Sequence, residues 1–97
     1  MKAAIYNYRV WVEEVQPTIL KTSFDTILKE SGFTVLNFME HLFEPQGYTA
    51  IWLLGESHFA LHTFPEENKT YIELSSCNEA MYESFIAKLK LPVVESM

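Results

Sequence analysis

A serine, two histidines and two glutamates fall within twelve consecutive residues, Gly55-Glu56-Ser57-His58-Phe59-Ala60-Leu61-His62-Thr63-Phe64-Pro65-Glu66, in a chain otherwise poor in reactive side chains. Read as a strand, the stretch alternates between faces, so His58, His62 and Phe64 point one way while Phe59, Leu61 and Thr63 point the other. One face is reactive and the other belongs to a core. Ser57 beside His58 suggests a hydrolase nucleophile, but Gly55-Glu56-Ser57-His58-Phe59 lacks the second glycine of the nucleophile elbow, and the chain is too short for the fold that carries it. His58 and His62, four residues apart with Glu56, Glu66 or Cys77 nearby, have the donor types for zinc, yet no paired-cysteine motif accompanies them, and the reading is no metal. By residue type alone, Ser57-His58 on a strand and the single Cys77 read as structural. Their joint spacing with His62 and Glu66 gives them another meaning.

That spacing resembles the prokaryotic S-adenosylmethionine decarboxylases. Glu56-Ser57-His58, three residues, His62-Thr63-Phe64-Pro65-Glu66 and then Cys77 follow, without a gap, the family pattern E-S-H, three residues, H-T-W-P-E and a downstream cysteine. Upstream, His41-Leu42-Phe43-Glu44-Pro45-Gln46-Gly47 is similar to that family's H-R-F-x-P-x-G segment, so the resemblance covers roughly residues 31 to 78. Phe64 stands where tryptophan is usual, Gly55 where serine is common, Ser75-Ser76 where Phe-Thr is usual, and Asn78 where glycine is.

The resemblance implies an enzyme that makes its own cofactor. The serine matching Ser57 attacks the carbonyl carbon of the preceding glutamate, here Glu56, turning an amide into an ester. Elimination then cuts the chain into a β chain of residues 1–56 and an α chain of residues 57–97 that begins with a pyruvoyl group derived from Ser57. His62 matches the processing histidine, and Thr49 matches a serine that assists it. The substrate amine forms a Schiff base with the pyruvoyl group, which acts as electron sink for loss of carbon dioxide. Cys77 matches the general acid that returns a proton to Cα, a role suited to a thiol, which is mostly protonated at neutral pH. Phe43 and Phe64 match aromatic positions that sandwich the adenine, and Glu66 matches the carboxylate that holds the ribose hydroxyls. The implied substrate is S-adenosylmethionine, and the product is the aminopropyl donor for spermidine synthesis. Relatives of the family that decarboxylate ornithine or arginine leave a second substrate class open. A non-catalytic regulatory paralogue and a small zinc-binding module remain the alternatives from other classes.

These residues need a scaffold. Ninety-seven residues make a single domain, small enough that a second copy helps to bury apolar surface, so a homodimer is expected. A hydrophobic share of 48% excludes disorder. The net charge of -6, with only seven Lys and Arg, argues against nucleic acid and suits a cationic ligand. No apolar run reaches spanning length and the opening residues alternate as a strand does, so the expectation is a cytoplasmic protein with no membrane partner.

Ala4, Tyr6, Tyr8, Val10 and Val12 share one face of a first strand. Pro17 opens a helix in which Leu20, Phe24, Ile27 and Leu28 form the buried stripe, and Gly32 stops it. Phe33 to Phe43 and Tyr48 to Leu54 read as a hairpin around Glu44-Pro45-Gln46-Gly47, followed by strands from Ser57 to about Phe64 and from Thr70 to about Ser76. Asn78 caps a helix whose stripe is Met81, Phe85 and Leu89, and Pro92-Val93-Val94 is at most a short final strand. Strands in runs with one helix after the first and another after the fifth predict an α+β two-layer sandwich, a mainly antiparallel sheet with two helices on one face. If the fifth strand continues to Cys77, parity gathers His62, Phe64, Glu73 and Cys77 on the helix-free side, where a second copy would cover them.

Overall fold

Alternating apolar residues fix each strand's buried side, and the register between strands turns those sides into one continuous face. The computed structural model describes residues 3–96; the opening Met1 and Lys2 of the expected strand-like alternation lie outside the described residues. In chain order the elements are β1 (Tyr6–Val12), α1 (Pro17–Glu30), β2 (Val35–Leu42), β3 (Tyr48–Leu54), β4 (Ser57–Phe64), a 3-10 turn (Pro65–Glu67), β5 (Lys69–Ser76), α2 (Glu79–Lys88) and β6 (Val93–Ser96). The strands lie in the order β2-β3-β4-β5-β1-β6, each pair antiparallel.

Both helices cover the same face, so the expected two-layer sandwich is the one that forms. Phe59 of β4 meets Phe24 of α1 at 4.8 Å and Phe85 of α2 at 5.4 Å between ring centroids, and Trp52 of β3 packs on Phe59 at 5.4 Å. All four side chains are fully buried. The helix ends follow local chemistry. At the end of α1, Gly32 takes φ 101° and the Phe33 N–H donates to the Leu28 carbonyl, a left-handed stop that a side chain would strain. At the start of α2, Asn78 Oδ1 accepts the Met81 N–H at 2.9 Å.

Among the described residues, no helix covers the opposite face. Met39, Ile51 and Leu53 project from it with relative exposures of 62%, 39% and 51%. Register sets the residues of this face in transverse rows, one of which runs His41–Thr49–His62–Tyr71–Trp11 across five strands.

Cys77 departs from expectation. Strand β5 ends at Ser76, because the Asn78 N–H turns back to the Ser76 hydroxyl at 3.0 Å and Asn78 begins the cap of α2. Cys77 therefore leaves the ladder and is exposed at the end of the sheet, outside the strand register that places His62 and Glu73 on one face.

Candidate functional site

The turn between β3 and β4 holds the first group of site residues. Leu54 pairs with Ser57, so Gly55 and Glu56 alone make the reversal. Glu56 takes φ 58°, a left-handed conformation that costs a residue with a Cβ about 1–2 kcal/mol. Asn68, in the turn before β5, has nearly the same φ of 55° but is a residue type that tolerates it. The strain thus falls on the residue whose carbonyl the resemblance singles out. That carbonyl has a partner: the Cys77 thiol donates to the Glu56 oxygen at 2.9 Å. Glu56 and Cys77 also line a cavity of about 570 Å³ whose other walls include Tyr6, Asn78 and Met81.

Ser57 opens β4 on the helix-facing side and is buried. Its cross-strand partner is Ser76, and the Ser57 hydroxyl donates to Ser76 Oγ at 2.9 Å. Motif reading passed over Ser76, because only the β4–β5 register sets the two hydroxyls face to face.

A second group stands further along β4. His62 Nδ1 lies 2.9 Å from Thr49 Oγ1, its cross-strand partner on β3. On the other side, the ring of Tyr71 lies nearly parallel to the imidazole, at 6.3 Å and 17°. The Tyr71 hydroxyl donates to Glu73 Oε1 at 2.8 Å, and burial followed by that carboxylate holds the phenol's pKa above its ordinary value. Tyr71 was legible only as one residue of an alternating strand; its place opposite His62 again follows from register.

The two groups do not meet within one chain. Ser57 and His62 are five positions apart along β4, roughly 16 Å at the usual rise, and their side chains leave opposite faces of the sheet. Of the remaining predicted residues, Phe43 is half exposed and stands edge-on to His41 at 4.4 Å, and Phe64 stands edge-on to Trp11 at 5.4 Å. Glu66 is exposed in the 3-10 turn. Phe43 and Pro65 line a cleft of about 260 Å³, to which Phe64 and Glu66 do not contribute. Among the described residues, no group of three or more His, Cys, Asp or Glu is placed to hold a metal ion.

Comparison with known proteins bears on the same residues. Residues 13–92 match the family model described as S-adenosylmethionine decarboxylase. The chain belongs to that family. It is 42% identical over 60 residues to an S-adenosylmethionine decarboxylase proenzyme of Prochlorococcus marinus, covering 62% of this chain and 48% of the relative. A second, from Methanococcus maripaludis, is 38% identical over 64 residues, covering 66% and 52%. The chain thus matches about half the length of these curated relatives. The solved adenosylmethionine decarboxylase of Aquifex aeolicus shares the fold, with a TM-score of 0.70 and 18% identity over 99% of this chain and 92% of the other. Within this S-adenosylmethionine decarboxylase family member, the Ser57 hydroxyl is held by Ser76 and follows a carbonyl whose oxygen accepts the Cys77 thiol.

Proposed function

We propose that this chain is the precursor of a pyruvoyl-dependent decarboxylase that cuts itself between Glu56 and Ser57 and then acts on S-adenosylmethionine. The observation that carries the reading is the Cys77 thiol donating to the Glu56 carbonyl oxygen at 2.9 Å. That carbonyl has no ladder to join, so a donor aimed at it polarises the carbon for attack and stabilises the oxyanion that follows.

The sequence of bonds follows from the side chains. Ser57 Oγ adds to the Glu56 carbonyl carbon, its proton passes to the amide nitrogen, and the C–N bond then breaks to leave an ester and a free amine. A base removes the Ser57 Cα proton, and the Glu56 carboxylate leaves as the new end of the β chain. Addition of water and loss of ammonia convert the remaining dehydroalanine into the pyruvoyl group. His62 is the base this scheme needs, and a hydrogen bond through Thr49 orients it. Because His62 and Ser57 of one chain lie roughly 16 Å apart, the histidine is supplied by a second copy packed on the helix-free face, where Met39, Ile51 and Leu53 are exposed; from that side it reaches for the Ser57 Cα proton in the sheet and leaves the buried hydroxyl on the other face untouched. The mature enzyme is therefore a homodimer.

When present, the pyruvoyl group supplies the electron sink that decarboxylation of an amino acid requires. Cys77 holds a proton beside the residue from which the group is made and delivers it to Cα after carbon dioxide leaves. Phe43 and Phe64 offer aromatic faces to the purine, Glu66 accepts from the ribose hydroxyls, and the net charge of -6 favours a cationic substrate. The product is the aminopropyl donor for spermidine synthesis.

Mass spectrometry of the purified protein tests the reading. Two chains split after Glu56, the second starting with a pyruvoyl group, are expected from the wild type and one chain from Ser57→Ala. Carbon dioxide should be released from carboxyl-labelled S-adenosylmethionine and not from ornithine or arginine. A wild-type chain that stays intact through long incubation at neutral pH would overturn it.

A further inference from the structure

Beyond the motif, one buried side chain is hydrogen-bonded to the Ser57 hydroxyl. Ser76 is 1% exposed, and its Oγ makes three hydrogen bonds. It accepts the Asn78 N–H at 3.0 Å, donates its own proton to the Asn78 carbonyl at 3.3 Å, and accepts the Ser57 hydroxyl at 2.9 Å. A hydroxyl has one proton to give and two lone pairs. With that proton engaged by Asn78, Ser76 can only receive from Ser57. The direction of the Ser57–Ser76 bond is therefore dictated by the backbone of Asn78, which is in turn fixed as the cap of α2 through Met81.

We infer that Ser76 is a positioning residue for self-cleavage, one that holds the Ser57 proton away from the Glu56 carbonyl and leaves the Ser57 lone pairs free to attack it. The inference rests on the proposed cleavage at Glu56–Ser57 and adds to it the group that sets the nucleophile's orientation. Without Ser76, the hydroxyl rotates, and its proton competes for the carbonyl oxygen that Cys77 now holds. The affected step is ester formation. Removal of the Cα proton, which is assigned to His62, comes afterwards.

The test follows cleavage by intact mass, with and without hydroxylamine, which splits an ester but spares an amide. Ser76→Ala should cleave about tenfold more slowly than wild type, the loss of one net hydrogen bond expressed as a rate. It should gain nothing from hydroxylamine, since the ester is what fails to form. His62→Ala, by contrast, should collect ester and be split by hydroxylamine. Ser76→Thr and Ser76→Val have the same shape and differ by the hydroxyl, so any cost of fitting the larger side chain is common to both. Thr should cleave about tenfold faster than Val. This pair decides the matter if Ser76→Ala does not fold. Equal rates for Thr and Val, or a Ser76→Ala chain that cleaves at the wild-type rate, would overturn the inference while leaving cleavage itself established. An uncleaved, hydroxylamine-resistant wild type would remove the cleavage reading and this inference with it.

Discussion

Cys77 has a partner in the structure that the motif does not name, the Glu56 carbonyl. In the family pattern it is a general acid for decarboxylation, separate from the residues that cut the chain. Its thiol donates to the Glu56 oxygen, and we propose that it acts in both steps. Cys77→Ala should therefore slow self-cleavage by about a hundredfold, at the lower end of what losing one oxyanion donor costs. It should also lower carbon dioxide release from whatever fraction does cleave. Cys77→Ser retains an O–H donor, so it should recover part of the cleavage and little of the turnover, because a hydroxyl is a far weaker acid than a thiol. Time courses of intact mass beside labelled carbon dioxide release measure the two steps separately. Cleavage that ignores Cys77→Ala would mean that the thiol does not act on the carbonyl. The sequence singles out Ser57, His62 and Cys77 as candidates because a motif records linear spacing. Ser76 and Tyr71 are not singled out, because each acquires its partner only across a strand pair, and pairing is not written in the spacing of either strand alone.

At the scale of elements, periodicity carried most of the fold. The stripe of Leu20, Phe24, Ile27 and Leu28 and the alternation of Phe59, Leu61 and Thr63 both point to the core that forms. What periodicity missed lies where elements stop. Parity extended to Cys77 assumed one residue more of β5, and the Ser76–Asn78 hydrogen bonds end the strand before it. The β3–β4 turn shows a related feature: Gly55 is next to the left-handed position without occupying it. A Cβ added at Gly55 meets nothing within 4 Å, while Glu56 carries the strain at φ 58°. The cost of that strain is measurable in the uncleaved Ser57→Ala background by comparing Glu56→Gly with Glu56→Ala. Both lack the carboxylate and differ by the Cβ that makes a positive φ unfavourable. Glycine should unfold at higher urea, by about 1 kcal/mol, despite its larger entropy in the unfolded chain. An alanine variant as stable as the glycine variant would mean that the turn is relaxed.

For the whole molecule, a single layer of helices leaves the sheet half covered. The helix-facing side is closed by Phe24, Phe85 and their neighbours, while the other side presents Met39, Ile51 and Leu53 around a row of polar side chains. A small domain gains by covering such a face, and an isologous pair brings the same patch of both copies together. The separation of Ser57 from His62 gives the proposed pairing a chemical purpose, since one copy alone does not bring the Ser57 Cα proton within reach of the base proposed to remove it. Complementation tests this directly. Ser57→Ala removes the nucleophile and keeps His62; His62→Ala does the reverse. Each alone should fail to complete cleavage. Co-expressed with distinguishable tags, the two should restore cleavage in the His62→Ala chain only, which receives its partner's histidine, to at most the share of mixed dimers, about half for random pairing of equal amounts. The Ser57→Ala chain should stay whole. Adding Ile51→Glu to both chains sets like charges into the apolar face and should abolish the rescue along with the dimer on gel filtration. Cleavage of the Ser57→Ala/His62→Ala mixture no faster than that of its separate components, in dimers shown to be mixed by the two tags, would mean that the base acts within its own chain or is another group.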